Sequence, residues 1–100
     1  MTTALRFVVS GGASGIGFAV ARLAVERGAR VVLLDLDAPR LQACVAALGD
    51  AALPLVCDVT DAPAVKAAVN HAAQWLGGID ALVNSAGVDS LKPLEQTDDT

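Results

Sequence analysis

Four short apolar runs, Leu5 to Val9, Val31 to Asp35, Leu53 to Cys57 and Ala81 to Asn84, alternate with three stretches of helical period, and this alternation constrains the fold more than any other feature. The runs are leucine-rich or β-branched and lack strict polar/apolar alternation, the pattern of strands covered on both faces. Between them, Ile16, Val20 and Leu23, then Leu41, Cys44, Val45 and Leu48, then Val65, Val69, Ala72, Ala73 and Leu76 recur at the spacing of one helical face. Asp37 and Asp61 stand where N-caps belong, Pro39 and Pro63 lie just inside, and Gly28, Gly49 and Gly77 follow the helices.

An order β-α-β-α-β-α-β with right-handed crossovers predicts an α/β fold, a Rossmann-type doubly wound parallel sheet of strand order 3-2-1-4. Nothing after Gly87 has a clear period, and Val88 to Thr100 is polar, so the fold is expected to be truncated there. At 100 residues, 54% of them apolar, the chain accommodates one small domain and is too hydrophobic for a disordered segment. The seven Lys and Arg residues are scattered and the net charge is −4, which leaves no electrostatic footprint for nucleic acid or anionic lipid. No uncharged apolar run approaches the roughly 18 to 20 residues of a membrane span, so a soluble, cytoplasmic protein is expected. Cys44 and Cys57 lack companions at ligand spacing and His71 stands alone, so no metal site is expected and both thiols are read as reduced and buried.

The most informative stretch is Ser10-Gly11-Gly12-Ala13-Ser14-Gly15-Ile16-Gly17, between the first predicted strand and helix. Its glycines do not follow G-x-G-x-x-G spacing, but the same physics applies. Residues without Cβ let the chain turn sharply and let a pyrophosphate reach free N–H groups at a helix N-terminus, where the dipole favours negative charge. Such a turn can also serve geometry alone. Its weight comes from Asp35, 20 residues after Gly15 at the end of the second predicted strand, where a carboxylate can accept from the adenosine ribose hydroxyls. Asp35 also predicts NAD over NADP, because a 2′-phosphate would bring like charge to the carboxylate, and Ser14 and Leu36 offer no cation to reverse it.

Together, Ser10 to Gly17, Asp35, Asp58-Val59 and Asn84-Ser85-Ala86-Gly87 resemble the short-chain dehydrogenase/reductase family, whose glycine motif reads T-G-x-x-x-G-x-G and whose fourth strand ends in N-N-A-G. The resemblance implies that Ser14, Gly15, Ile16 and Gly17, in the turn begun by Gly11, line the pyrophosphate and that Asp35 holds the ribose. It implies that Asp58 accepts from the adenine amino group, that Val59 offers its N–H to the ring, and that Asn84, Ala86 and Gly87 border the ribose side. Read alone, Asp58 and Asn84 are equally ordinary strand-end turn residues. Two positions depart from the pattern: Ser10 replaces Thr and keeps the hydroxyl, and Ser85 replaces Asn, an exchange expected to weaken local hydrogen bonding.

In that family a Tyr acts as general acid/base and a Lys four residues later lowers its pKa, since positive charge favours phenolate. This chain has no Tyr, and Lys66 and Lys92 fit no Y-x-x-x-K pattern. Residues 1–100 are therefore read as the N-terminal half of one NAD-binding domain, with no catalytic residue among them. The resemblance implies that the catalytic Ser, Tyr and Lys lie beyond Thr100. It further implies an NAD-dependent oxidoreductase acting on a small-molecule alcohol or ketone, a homo-oligomer at full length. A non-catalytic dinucleotide sensor or scaffold is the alternative, and an S-adenosylmethionine-dependent methyltransferase fits Asp58-Val59 and Asn84 to Gly87 less well. Residues 1–100 are expected to show no turnover alone; NAD reduction by the purified chain with any alcohol would contradict this.

Overall fold

The structure, a computed structural model, describes residues 5–85. The apolar runs form strands β1 (Arg6–Ser10), β2 (Arg30–Asp35), β3 (Ala52–Val56) and β4 (Ala81–Asn84). Three helices alternate with them: α1 (Gly15–Glu26), α2 (Ala38–Leu48) and α3 (Ala62–Leu76), a short 3₁₀ turn at Gly49–Ala51 closing α2. The strands pair in parallel in the order β3-β2-β1-β4, as the sequence predicts, with Val8 opposite Val32 and Leu82, and Val32 opposite Leu53. Strand limits differ from the predicted runs by a residue, an ordinary displacement at element ends. The expected truncation after Gly87, including Thr100 and the polar stretch before it, lies outside the described residues.

Alternation along each strand divides the core into two layers. Val9, Val31, Leu33 and Ala52 face α1 and α2, whereas Val8, Val32 and Leu34 face α3. Coverage on both sides explains why β2 is an unbroken apolar run. Cys44 lies half-buried against the first layer and Cys57 is buried in the second. The sheet thus separates the two thiols, and both are free.

Asp37 and Asp61 cap α2 and α3 as predicted, accepting from the amides of Arg40 at 3.1 Å and Ala64 at 3.3 Å. The predicted stripe of α2 packs on the first layer, and Val65, Ala72 and Leu76 of α3 pack on the second. The stripe expected of α1 is not the one that packs: Ile16 and Leu23 remain 52% and 51% exposed, while Gly17 and Ala21 are buried and Ala24 and Val25 join the core. Gly17 and Ala21, four apart on one face, let the helix axis come close to the sheet, and a face of large side chains would hold it away. Close approach outweighs hydrophobic area.

At the N-terminal end of the sheet, the paired residues Arg6 and Arg30 both reach the C-terminus of α3. Arg30 lies 4.2 Å from the Trp75 ring centroid and donates to the Trp75 carbonyl at 3.1 Å, and Arg6 donates to the Gly77 carbonyl at 2.9 Å. The last turn of α3 has no basic residue, so two strands supply the cations that its dipole favours. Arg6 also grips Asp80 through two parallel side-chain bonds of 3.0 Å, fixing the entry of β4 against β1.

The hydrogen bonds from Arg6 hold the Asp80 carboxyl below its ordinary pKa. A depressed carboxylate contributes stability that is fully present above the unfolded value near 3.9 and is lost as pH falls through the lower folded value. The melting temperature should therefore fall more steeply below about pH 4 in the native chain than in Asp80→Asn, measured by circular dichroism. Parallel acid profiles for the two would show that the pair contributes nothing.

Candidate functional site

In a parallel sheet, the loops after the strands gather at one edge, and a crevice opens where the strand order reverses. Here that reversal lies between β1 and β4. The glycine-rich turn after β1, Asp35 ending β2, Asp58 and Val59 after β3, and Asn84 ending β4 all lie at this C-terminal edge. Ala86 and Gly87, expected to border the ribose, lie outside the described residues. The same holds for Thr100, beyond which the catalytic group is expected.

The turn is built from its amides outward. Gly11 adopts φ 74°, a conformation that favours glycine, and the amides of Gly11 and Gly12 both donate to the Leu34 carbonyl, at 2.7 and 3.0 Å. Ser14 is the N-cap of α1: its Oγ accepts from the Gly17 amide at 3.1 Å and donates to the Gly11 carbonyl at 2.7 Å. The amides of Gly15 and Ile16 meet no acceptor among the described residues, and both residues are exposed. A Cβ on Gly15 would meet nothing within 4 Å, so there is room beside this residue. The first turn of α1 thus presents unpaired donors and the positive end of its dipole to an accessible surface.

Asp35 is tied to the same turn. Its Oδ2 accepts from the Ala13 amide at 2.9 Å and its Oδ1 from the Asp37 amide at 3.1 Å. Each carboxylate oxygen keeps capacity for a second donor. Asp58 is exposed, and its Oδ1 accepts from the amide of Thr60 at 2.9 Å and from its hydroxyl at 2.6 Å. These bonds hold the Asp58 carboxyl below its ordinary range. Ser10, Leu34, Val59, Thr60, Leu82 and Asn84 help line a cleft of about 350 Å³ on the α3 side of this edge. Leu82 is 60% exposed there. Among the described residues no three His, Cys, Asp or Glu side chains gather as a metal site requires, and no helix is long and apolar enough to cross a membrane.

The Ser85 side chain is buried, and its hydroxyl lies within hydrogen-bond reach of the carbonyls of Ser10 at 2.7 Å and Gly11 at 3.1 Å, while its amide also donates to the Ser10 carbonyl. A Cβ built on Gly17 would lie only 2.6 Å from Ser85 Oγ, so glycine at position 17 leaves room for this hydroxyl. Nothing in the local sequence around Ser85 signals this, because its partners are 74 and 75 residues away.

The family model described as short chain dehydrogenase matches residues 6–100. D-threitol dehydrogenase of Mycolicibacterium smegmatis is 46% identical over 92 residues, which cover 89% of this chain and 35% of that protein. A 3-ketoacyl-(acyl-carrier-protein) reductase from Brucella melitensis, solved in complex with NADH, superposes with a TM-score of 0.75 at 32% identity, covering 78% of this chain and 32% of that one. An NAD⁺-bound xylitol dehydrogenase superposes with a TM-score of 0.74 at 32% identity, over 78% of this chain and 31% of its own. The chain thus spans about a third of the length of these relatives.

A Cβ on Gly17 would collide with the Gly11 carbonyl oxygen. Backbone cannot yield as a flexible side chain does, so Gly17→Ala should destabilise the chain by about 1 to 3 kcal/mol, lowering its melting temperature by several degrees. Gly15→Ala, with open space above it, should leave the melting temperature unchanged or slightly raised. Equal melting of native and Gly17→Ala chains would refute the close approach.

Proposed function

This chain belongs to the short-chain dehydrogenase family, and on that premise we propose that residues 1–100 are the NAD-binding N-terminal half of an oxidoreductase domain that interconverts an alcohol and a ketone. The observation that carries the reading is the pair of amides at Gly15 and Ile16, on exposed residues and without an acceptor among the described residues, beside a carboxylate bound to the same turn. A diphosphate fits there, because the amides offer hydrogen bonds, the dipole offers positive potential, and the absent Cβ of Gly15 offers room.

In this reading the turn begun by Gly11 presents Ser14, Gly15, Ile16 and Gly17 to the pyrophosphate. The free capacity of each Asp35 oxygen takes one ribose hydroxyl. Asp58 and the Val59 amide meet the adenine, and Asn84, Ala86 and Gly87 border the ribose nearer the reacting end. When bound, the nicotinamide ring supplies or receives the hydride. The Tyr that moves the proton in the family has no counterpart among residues 1–100, which contain none. The substrate is a small molecule, the full protein is a cytoplasmic homo-oligomer, and neither nucleic acid nor membrane is a partner.

Asp35 sets the choice between dinucleotides. A 2′-phosphate about 4 Å from its carboxylate would be repelled by up to ~4 kcal/mol at an effective dielectric near 20, and solvent and salt reduce this to about 1 to 3 kcal/mol. That is roughly 10- to 100-fold in affinity. Calorimetry should give tighter binding of NAD than of NADP, and Asp35→Asn should narrow the gap by weakening NAD and relieving NADP. Equal or tighter NADP binding by the native chain would overturn the assignment.

A further inference from the structure

We propose that Asp37 is a second specificity-determining residue, whose carboxylate closes the start of α2 to the 2′-phosphate of NADP. This rests on the dinucleotide reading above and deepens it, because that reading assigns the choice to Asp35 alone.

The three helices begin at the same edge of the sheet, and their first turns are not alike. The cap of α1 is the neutral Ser14, and behind it two successive amides, those of Gly15 and Ile16, have no acceptor among the described residues. The cap of α2 is Asp37, with Pro39 two residues on. The Asp37 amide donates to Asp35 Oδ1 at 3.1 Å, Pro39 has no N–H, and the Arg40 amide donates to Asp37 Oδ1 at 3.1 Å. Ala38 alone keeps an amide without an acceptor among the described residues of this turn, and it stands next to a carboxylate. The start of α3 repeats the arrangement with Asp61, Pro63 and Ala64. Phosphate binding at a helix start draws on free amides and on an uncompensated dipole. The first turn of α1 supplies both, whereas at α2 one amide remains and the charge of the cap offsets the dipole.

The position of α2 gives this closure a consequence. The bond from the Asp37 amide brings Asp37 into the immediate surroundings of Asp35 Oδ1, an oxygen that takes a ribose hydroxyl in the reading above. A phosphate on the ribose 2′ oxygen, repelled by Asp35, has two neighbours to turn to. Leu36, 64% exposed, offers only an apolar side chain. The start of α2 offers its dipole and the Arg40 cation, the type of group that accommodates a 2′-phosphate in dinucleotide-binding sheets. Arg40 is exposed, and its side chain pairs with no acid among the described residues. Asp37, exposed on the same turn, sets its negative charge against both attractions.

Asn and Ser cap a helix about as well as Asp does, and both lack its charge. In Asp37→Asn the affinity for NADP by calorimetry should rise roughly two- to fivefold, a modest gain because water and salt screen an exposed carboxylate. NAD affinity and melting temperature should stay as they are, and Asp37→Ser should repeat the result. Asp61→Asn, which discharges the cap of α3, should leave the affinity for NADP unchanged. In about 1 M salt, where the screening length is about 3 Å, the gain from Asp37→Asn should vanish. Unchanged NADP affinity, an equal rise for NAD, an equal gain from Asp61→Asn, or a gain that survives high salt overturns the proposal. If the native chain binds NADP as tightly as NAD, the reading based on Asp35 falls and takes this one with it. If NAD is preferred and Asp37→Asn leaves NADP where it was, the role of Asp37 falls alone.

Discussion

The carbonyl oxygen of Gly11 accepts from the Ser14 amide at 3.0 Å and lies within reach of the hydroxyls of Ser14 and Ser85, at 2.7 and 3.1 Å. Around this one atom the chain solves a geometric conflict. The turn must leave β1 sharply, start a helix within a few residues, and keep that helix against the sheet. Gly11 provides the positive φ, Ser14 the cap, and Gly17 the closeness, each satisfying a demand that the carbonyl imposes. A side chain at position 17 would push α1 outward and separate its first turn from Asp35, which is bound to the same turn through Ala13.

The two ends of the sheet are held by different physics. At the N-terminal edge, Arg6 and Arg30 gather the C-terminus of α3, Trp75 and Asp80 into charge-assisted contacts that fix β1, β2 and β4 in register. At the C-terminal edge the contacts are short, neutral and mostly between backbone groups and hydroxyls, with the carboxylates of Asp35 and Asp58 the charged exceptions. Fixed ion pairs suit an edge whose task is register.

What the sequence makes legible divides along the same line. Strands, strand order and the caps at Asp37 and Asp61 are legible because each rests on local pattern: apolar runs, a period, an acid three residues before an amide. The edge that gathers Asp35, Asp58, Val59 and Asn84 is legible for the same reason, since parallel topology places every post-strand loop there. The packed face of α1 is not legible, because periodicity ranks residues by hydrophobicity and this interface selects for smallness. The roles of Arg6, Arg30 and Ser85 are not legible either. Their partners lie 45 or more residues away, and only the folded register brings them together.

Asp35 shows why the site works as one body rather than as separate motifs. Its carboxylate sits at the end of a strand, and the amides of Ala13 and Asp37 set the orientation of both oxygens. The same two bonds tie the glycine turn to the start of α2, so displacement of the turn rotates the carboxylate as well. The Asp35 carboxylate and the α1 amides therefore share one geometry. Any change that loosens the Gly11 carbonyl must be felt at both, with the amides responding first because they belong to the turn itself.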